Sequence, residues 1–509
     1  MQTFSTNSFK VFKTRASKIT VVLTVIALAL FSTVSYIQSR PEIPTTLAAY
    51  YAQELQWKSC YENYQCTDLL VPIDYRELKT GTFNISVLKY PTTGEKKLGS
   101  LIVNPGGPGG SGVDYAYNAE YIVSPEILER FDIVGFDPRG VGESAAIKCL
   151  SDAETDASFA ADPKPDDEAE FALFISDARD YFAKCAENTK HLTNFSTVNS
   201  ARDLEVLRAV LGDEKLNYLG KSYGTYLGTL YAELFPENVG RFVLDGAVDP
   251  NSSNREAVLG QAIGFESALN AFISNCLKSS SCALTGDLQS ARIQILDLLA
   301  QTAITPLKSK SGREVTEGLV LLGIASALYD SESGWPVLRD AFKEATLGSG
   351  TSFLTLADQY AGRQEDGSYL SNENDALQVI SCLDQNELET VSVFKKGVAE
   401  FSDKAPIFGP YLAYAGLACR YLPNLGSVEQ VEIKSINTKP ILVVGTTRDP
   451  ATPYKWAKSL AKIFSSALLI TLDGDGHAGH GRGSTCVDSA VDRYLLTGAV
   501  PKSELFCAK

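Results

Sequence analysis

The feature that most constrains this chain is a sharp junction at residues 216–234. The apolar run LNYL (Leu216–Leu219) leads straight into Gly220-Lys221-Ser222-Tyr223-Gly224, and a helical pattern, TYLGTLYAELF, begins directly after it. G-x-S-x-G between a strand and a helix marks a turn too tight for side chains at its glycines, with the serine hydroxyl lifted to the end of a sheet. The pentapeptide alone is weak, because a chain of this length contains one by chance about one time in four. The strand before it and the helix after it are what identify a nucleophile elbow centred on Ser222.

The rest of the chain repeats the same alternation. Short apolar runs at Leu101–Val103, Ile133–Phe136, Phe242–Leu244, Ile441–Val444 and Leu468–Leu472 read as buried parallel strands, with helical patterns between them. One such helix is expected from Ser200 to Leu211, with Ser200 and Asp203 as its capping pair and Gly212 as its stop. The fold class is therefore α/β, with a mostly parallel central sheet flanked by helices. Between about Asn251 and Ser435 the strand signals vanish, helical patterns take over, and strands then resume. This predicts a large helical lid at 251–435, inserted between strands of a core made from 41–250 and 436–509.

A serine hydroxyl of ordinary pKa needs a base within hydrogen-bond reach, and the chain has 3 histidines. His477 and His480 share the segment DGDGHAGHGRG after the strand-like SALLITL; His477, nearer the strand end, is the preferred base. His191 sits in a polar stretch upstream and reads as a surface residue. The acid that fixes the base's tautomer belongs between serine and histidine in the chain order of the α/β-hydrolase fold. Asp449 meets that requirement in TTRDPATP, directly after the run ILVVG. For the oxyanion, one donor is expected from the backbone N–H of Tyr223. The second is expected from the loop Asn104-Pro105-Gly106-Gly107-Pro108-Gly109-Gly110, with Gly107 as the choice. That loop lacks the Lys-Ser/Thr ending of a nucleotide-binding loop, and two histidines three apart have no clear third ligand, so neither a cofactor nor a metal is called for.

Charge and cysteines bound the setting. A formal net charge of −15, with no Lys/Arg-rich tract in the body of the chain, excludes nucleic acid as a natural partner. Lys10, Lys13, Arg15 and Lys18 precede an uncharged apolar stretch at 19–37, so residues 1–40 read as an export signal, either cleaved as a signal peptide or retained as a membrane anchor. The protein is expected to be secreted or cell-surface. The 10 cysteines fit an oxidising compartment. Their most local pairing joins Cys60 with Cys66, Cys149 with Cys185, Cys276 with Cys282, Cys382 with Cys419 and Cys486 with Cys507, with other connectivities open.

With these pieces in place, the chain resembles the tripeptidyl aminopeptidase branch of the proline-iminopeptidase-like serine peptidases, found among exported actinobacterial enzymes. NPGGPGGSG resembles the family's oxyanion loop, FDIVGFDPRGVGES its Asp-x-Arg-Gly strand and turn, and LNYLGKSYGTYLGTLYAELFPENVGRFVLDGAVDP its nucleophile region. VISCLD, TTRDPATP, GDGH and the closing segment with Cys486 and Cys507 resemble its lid and C-terminal core. Asn104-Pro105 stands where the proline iminopeptidases carry a His before the glycines, which argues against strict proline specificity. The resemblance implies an exopeptidase, expected to be a monomer, that acts on peptides with a free N-terminus and releases di- or tripeptides. Such an enzyme must bind an ammonium group, and carboxylates are the natural partners. From Glu365 to Glu389 the lid carries seven acids (Glu365, Asp366, Glu373, Asp375, Asp384, Glu387, Glu389) and no Lys or Arg; Asp384 and Glu387 are the first choices. A carboxylesterase or lipase would use the same serine, acid and base, and an inactive surface-binding protein on this scaffold is a third reading.

Overall fold

A computed structural model describes residues 44–385, 388–434 and 436–508. The leader at 1–40 with its apolar stretch 19–37, Glu387 and the boundary residue Ser435 lie outside the described residues. The chain divides into two units, Met1–Leu47 and Ala48–Lys509, and the second holds the fold.

Among the described residues, twelve strands run in chain order: β1 (Lys58–Cys60), β2 (Tyr64–Pro72), β3 (Thr82–Tyr90), β4 (Gly99–Asn104), β5 (Phe131–Phe136), β6 (Leu216–Lys221), β7 (Val239–Asp245), β8 (Leu307–Lys308), β9 (Glu314–Val315), β10 (Leu442–Arg448), β11 (Leu468–Asp475) and β12 (Leu505–Ala508). Ten of them form one sheet in the order β1-β2-β3-β5-β4-β6-β7-β10-β11-β12, and β8 and β9 form a separate small hairpin. From β5 to β12 all neighbours are parallel, whereas β1, β2 and β3 join antiparallel at one edge. The six expected strands are β4, β5, β6, β7, β10 and β11. Their apolar runs are continuous because helices cover both faces of the sheet.

The chain passes from β4 outward to β5 and then back across β4 to β6. The loops after β4 and β6 therefore flank a topological switch point, where α/β sheets open a crevice at the carboxyl ends of their strands. After β7 the chain leaves the sheet and returns at β10, which pairs directly with β7, Leu442 beside Val243. The intervening residues form helices, among them Asn254–Cys276, Leu288–Ile304, Glu317–Leu328, Gly334–Ala345 and Thr351–Ala361, around an apolar core of their own. The next helix, Glu373–Leu383, differs: its Ala376, Val379, Ile380 and Leu383 pack into the core of the sheet domain.

The expected capping pair at Ser200 and Asp203 is corrected by the fold. The helix runs Thr197–Val210, three residues earlier than expected, with Ser196 at its N-cap. Asp203 lies inside the helix as the wholly buried partner of Arg139, which donates from Nε (2.7 Å) and Nη2 (2.6 Å). Arg139 also donates to the carbonyls of Pro72, Ile73 and Asn194. The Arg of FDPRG thus ties the end of β2 to this helix, satisfying a buried cation completely.

The ten cysteines form five disulfides, each between nearest neighbours in the sequence. Cys60 bonds to Cys66, Cys149 to Cys185, Cys276 to Cys282, Cys382 to Cys419, and Cys486 to Cys507. Of the connectivities the sequence leaves open, the structure takes the most local one. Cys60 and Cys66 close the antiparallel turn between β1 and β2, Cys382 and Cys419 fasten the end of the helix Glu373–Leu383, and Cys486 and Cys507 tie the last helix to β12. No described helix is long and apolar enough to cross a membrane.

Candidate active site

Ser222 sits between β6 and the helix Tyr223–Leu234 with φ 56° and ψ −127°. A non-glycine residue in this region costs on the order of 1–3 kcal/mol, so the surroundings must hold it there. They do so through hydrogen bonds at both of its backbone groups. The Ser222 N–H donates to the Asp245 carbonyl (2.9 Å), and the Ser222 carbonyl accepts from the N–H (2.9 Å) and hydroxyl (2.7 Å) of Thr225. The flanking glycines are demanded by space. A Cβ on Gly220 would lie 2.5 Å from the Gly224 carbonyl oxygen, and one on Gly224 would lie 2.7 Å from Asn104 Oδ1.

The glycine loop after β4 rests on this elbow. A Cβ on Gly106 would lie 2.8 Å from Ser222 Cβ and 3.1 Å from the Tyr223 nitrogen, and Gly106, Gly107 and Gly109 all take φ near +106°. The Gly106 N–H is engaged by Asn104 Oδ1 (3.1 Å). The Gly107 N–H has no hydrogen-bond acceptor among the described residues. Tyr223, as the first residue of its helix, has no intrahelical acceptor for its own N–H. The Tyr223 N–H next to Ser222 is thus unengaged, and so is the Gly107 N–H in the loop whose Gly106 rests against Ser222.

Asp449 follows β10 and is buried. Its carboxylate accepts from the N–H groups of Ala451 (3.0 Å), Thr452 (2.8 Å) and Ala478 (3.0 Å), from the Thr452 hydroxyl (2.9 Å), and faces His477 Nδ1 at 2.9 and 3.0 Å. An ionised carboxylate only accepts, so Nδ1 carries the proton and Nε2 is left as the basic nitrogen. His477 is fixed further by Tyr329, whose carbonyl accepts its backbone N–H (2.8 Å) and whose ring meets the imidazole edge-on at 5.2 Å. On its other side, a Cβ on Gly246 would lie 3.3 Å from His477 Cε1; Gly246 directly follows the residue that accepts the Ser222 N–H. Ser222, Asp449 and His477 thus all lie at the carboxyl ends of parallel strands, β6, β10 and β11, at one end of the sheet.

The other histidines stand apart. His480 is buried, and burial first, with Lys221 second, pushes its pKa down to about 3, leaving it neutral. His191 is exposed, its ring near Phe83. Among the described residues no group of three or more His, Cys, Asp or Glu is placed to hold a metal ion.

The acids of the 365–389 segment separate by partner. Asp375 accepts from Cys149 N–H (2.7 Å) and the Tyr181 hydroxyl (3.1 Å), a bracing role. Asp384 accepts from the Thr197 N–H (2.9 Å) and hydroxyl (2.5 Å), and that hydroxyl also meets the hydroxyl of Tyr223. Burial pushes the Asp384 carboxyl up to about 7, opposed by the Thr197 bonds. Glu373 has a different setting. A Cβ on Gly109 would lie 2.7 Å from its carbonyl oxygen, and the neighbouring Asn374 side chain donates to the Ala361 carbonyl (3.1 Å). Its carboxyl is raised by desolvation and has no partner among the described residues. Tyr360 and Tyr329 continue the wall from there toward His477, their rings 5.7 Å apart.

Thr452 and Tyr329 escape the sequence reading, which names Glu373 only as one of seven lid acids and not as a first choice. For Thr452 a signal exists, a hydroxyl residue three positions after an Asp at a strand end, as in an Asx-type turn. Tyr329 contacts the base from the lid, and nothing local announces it.

Comparison with known proteins gives the chain its family. Residues 99–292 match the α/β hydrolase fold family and residues 405–507 the TAP-like protein family. The chain is 35% identical over 483 residues to serine protease Hip1 of Mycobacterium tuberculosis (strain ATCC 25618 / H37Rv), covering 89% of this chain and 91% of that one. It is 36% identical over 476 residues to carboxylesterase B of the same strain, covering 90% of each. It is 32% identical over 473 residues to the tripeptidyl aminopeptidase of Streptomyces coelicolor (strain ATCC BAA-471 / A3(2) / M145), covering 89% and 86%. The chain belongs to the TAP-like branch of the α/β-hydrolase family and is a serine hydrolase.

Proposed function

We propose that the chain is an exported serine peptidase that cleaves near the free N-terminus of peptides and releases short fragments, two or three residues long. In this reading Ser222 Oγ attacks the scissile carbonyl while His477 Nε2 takes its proton. Asp449 holds the imidazole in the required tautomer and stabilises its cation. The oxyanion forms against the N–H groups of Gly107 and Tyr223. Collapse breaks the C–N bond, and His477 returns the proton to the leaving amine. Water, deprotonated by His477, then attacks the acyl-enzyme and frees the fragment and Ser222. The observation that carries the reading is the His477–Asp449 pair at 2.9 Å, at the same end of the sheet as a serine held at a strand-to-helix elbow.

The substrate class is supported by the lid. A free N-terminus brings an ammonium group, and an unpaired carboxylate on a residue whose backbone packs against the glycine loop is its natural receptor. Glu373 is the first choice on these grounds. Asp384 ranks behind it because Thr197 engages both of its oxygens. Export is supported by the basic, then apolar, leader and by the five disulfides. The second reading is ester hydrolysis, favoured by the similarity to carboxylesterase B. Purified protein assayed on free and N-blocked tripeptide arylamides beside a short acyl ester, with Ser222→Ala as control, separates the two. The peptidase reading expects preference for the free tripeptide; turnover of the ester alone contradicts it.

A further inference from the structure

Asp245 is a wholly buried carboxylate outside the serine, acid and base, and it touches the supports of two of them. It is the last residue of β7, the strand between those that carry Ser222 and Asp449. Its main-chain carbonyl accepts the Ser222 N–H at 2.9 Å. Its side chain reaches the other way: Oδ1 accepts the Gly479 N–H at 2.8 Å and Oδ2 the His480 N–H at 2.9 Å. Those amides belong to the loop that carries His477. Lys221, the residue before the nucleophile, completes the clamp. Its Nζ lies 3.9 Å from Asp245 Oδ2 and donates to the His480 carbonyl at 2.8 Å.

The loop needs such a clamp. It takes positive φ at Gly476, Ala478 and Gly481, and a glycine-rich segment of this kind has little intrinsic preference for one conformation. Thr446 fixes one point, its hydroxyl donating to the Ala478 carbonyl at 2.7 Å. The backbone of the next two residues is held by Asp245 and Lys221. Burying a charged carboxylate is costly unless it is bonded on all sides, so its retention at a strand end calls for a role. Burial raises the Asp245 carboxyl, opposed by Lys221 and then by the two loop amides.

Taking Ser222 and His477 as nucleophile and base, as proposed above, we propose that Asp245 is the positioning residue that sets the distance between them, with Lys221 as its counter-charge. It acts through the backbone: the carbonyl holds the nucleophile's N–H and the carboxylate holds the base's loop. It does not touch substrate. Removing the carboxylate's acceptor capacity frees the loop, and a misplacement of about 1 Å at a reacting group costs about 100-fold in rate.

The test uses the full exported chain and two variants, Asp245→Asn and Lys221→Met, with Ser222→Ala as reference. A short acyl ester gives kcat and KM, a fluorophosphonate probe gives the rate and end-point of Ser222 labelling, and thermal unfolding gives the folded fraction. Asp245→Asn is expected to label to the same end-point as wild type but about 100-fold more slowly, with kcat falling in step and KM within about twofold. Lys221→Met keeps both loop bonds to Asp245 and is expected to lose about tenfold in kcat at the same KM. If Asp245→Asn does not fold, Lys221→Met decides alone, and wild-type kcat in it overturns the proposal. Labelling of folded Asp245→Asn at the wild-type rate also overturns it. Wild-type protein that neither labels at Ser222 nor turns over ester sinks the serine-hydrolase reading instead, a result distinguishable from both.

Discussion

Replacing Thr452 with Val leaves the shape of the site almost unchanged and removes one hydroxyl. In the structure that hydroxyl donates to Asp449 Oδ2 at 2.9 Å and lies 3.3 Å from His477 Nδ1. The carboxylate keeps its three backbone donors but loses the side-chain bond that turns its oxygens toward the imidazole. A hydrogen bond to a buried charged group contributes about 1.5–3 kcal/mol, and every 1.4 kcal/mol is tenfold in rate. Because three donors remain, the lower end applies. Thr452→Val is expected to reduce kcat on an acyl ester or arylamide about tenfold, with KM and the melting temperature nearly unchanged. Thr452→Ser, which restores the hydroxyl, should recover most of the loss. Equal kcat in Val, Ser and wild-type proteins would refute the reasoning, as would a Ser variant as slow as the Val variant.

Two further predictions concern the acids of the lid. Glu373→Gln should raise KM for free tripeptide arylamides about tenfold or more while leaving the N-blocked ester within about twofold, measured by steady-state kinetics on both; equal effects on both substrates would remove Glu373 as the ammonium receptor. Asp384 should leave its mark on stability instead. Its folded pKa, about 7, lies above the unfolded carboxyl value of 3.8, so the folded state holds the extra proton between them. The associated stability is fully present below the unfolded value and is lost as pH rises through about 7. Denaturant unfolding across that range should therefore show a decline with rising pH that Asp384→Asn flattens.

Much of the site is legible in the sequence because its chemistry demands particular residues in a particular order. Gly220, Ser222 and Gly224 announce themselves through steric need, and Asp449 and His477 follow at the ends of apolar runs. What escapes is whatever depends on a distant partner. Asp203 reads locally as a helix cap, but its real partner, Arg139, is 64 residues away. Likewise, the acidity of 365–389 is plain, yet which of its carboxylates are engaged is decided by tertiary packing: Thr197 takes Asp384, Cys149 and Tyr181 take Asp375, and the Glu373 carboxylate has no hydrogen-bond partner among the described residues. The antiparallel edge β1–β3 is also missed. The burial of β2 and β3 is broken by partly or fully exposed residues, so their runs are less continuous than those of the central strands.

The most direct test of the central claim is mass spectrometry of the products formed from an unblocked peptide of ten or so residues, with wild-type protein beside Ser222→Ala. The account predicts successive release of di- or tripeptides from the N-terminus by wild type, none by Ser222→Ala, and none from the same peptide acetylated at its N-terminus. Internal cleavage, single-residue release, or equal cutting of the acetylated peptide would contradict it.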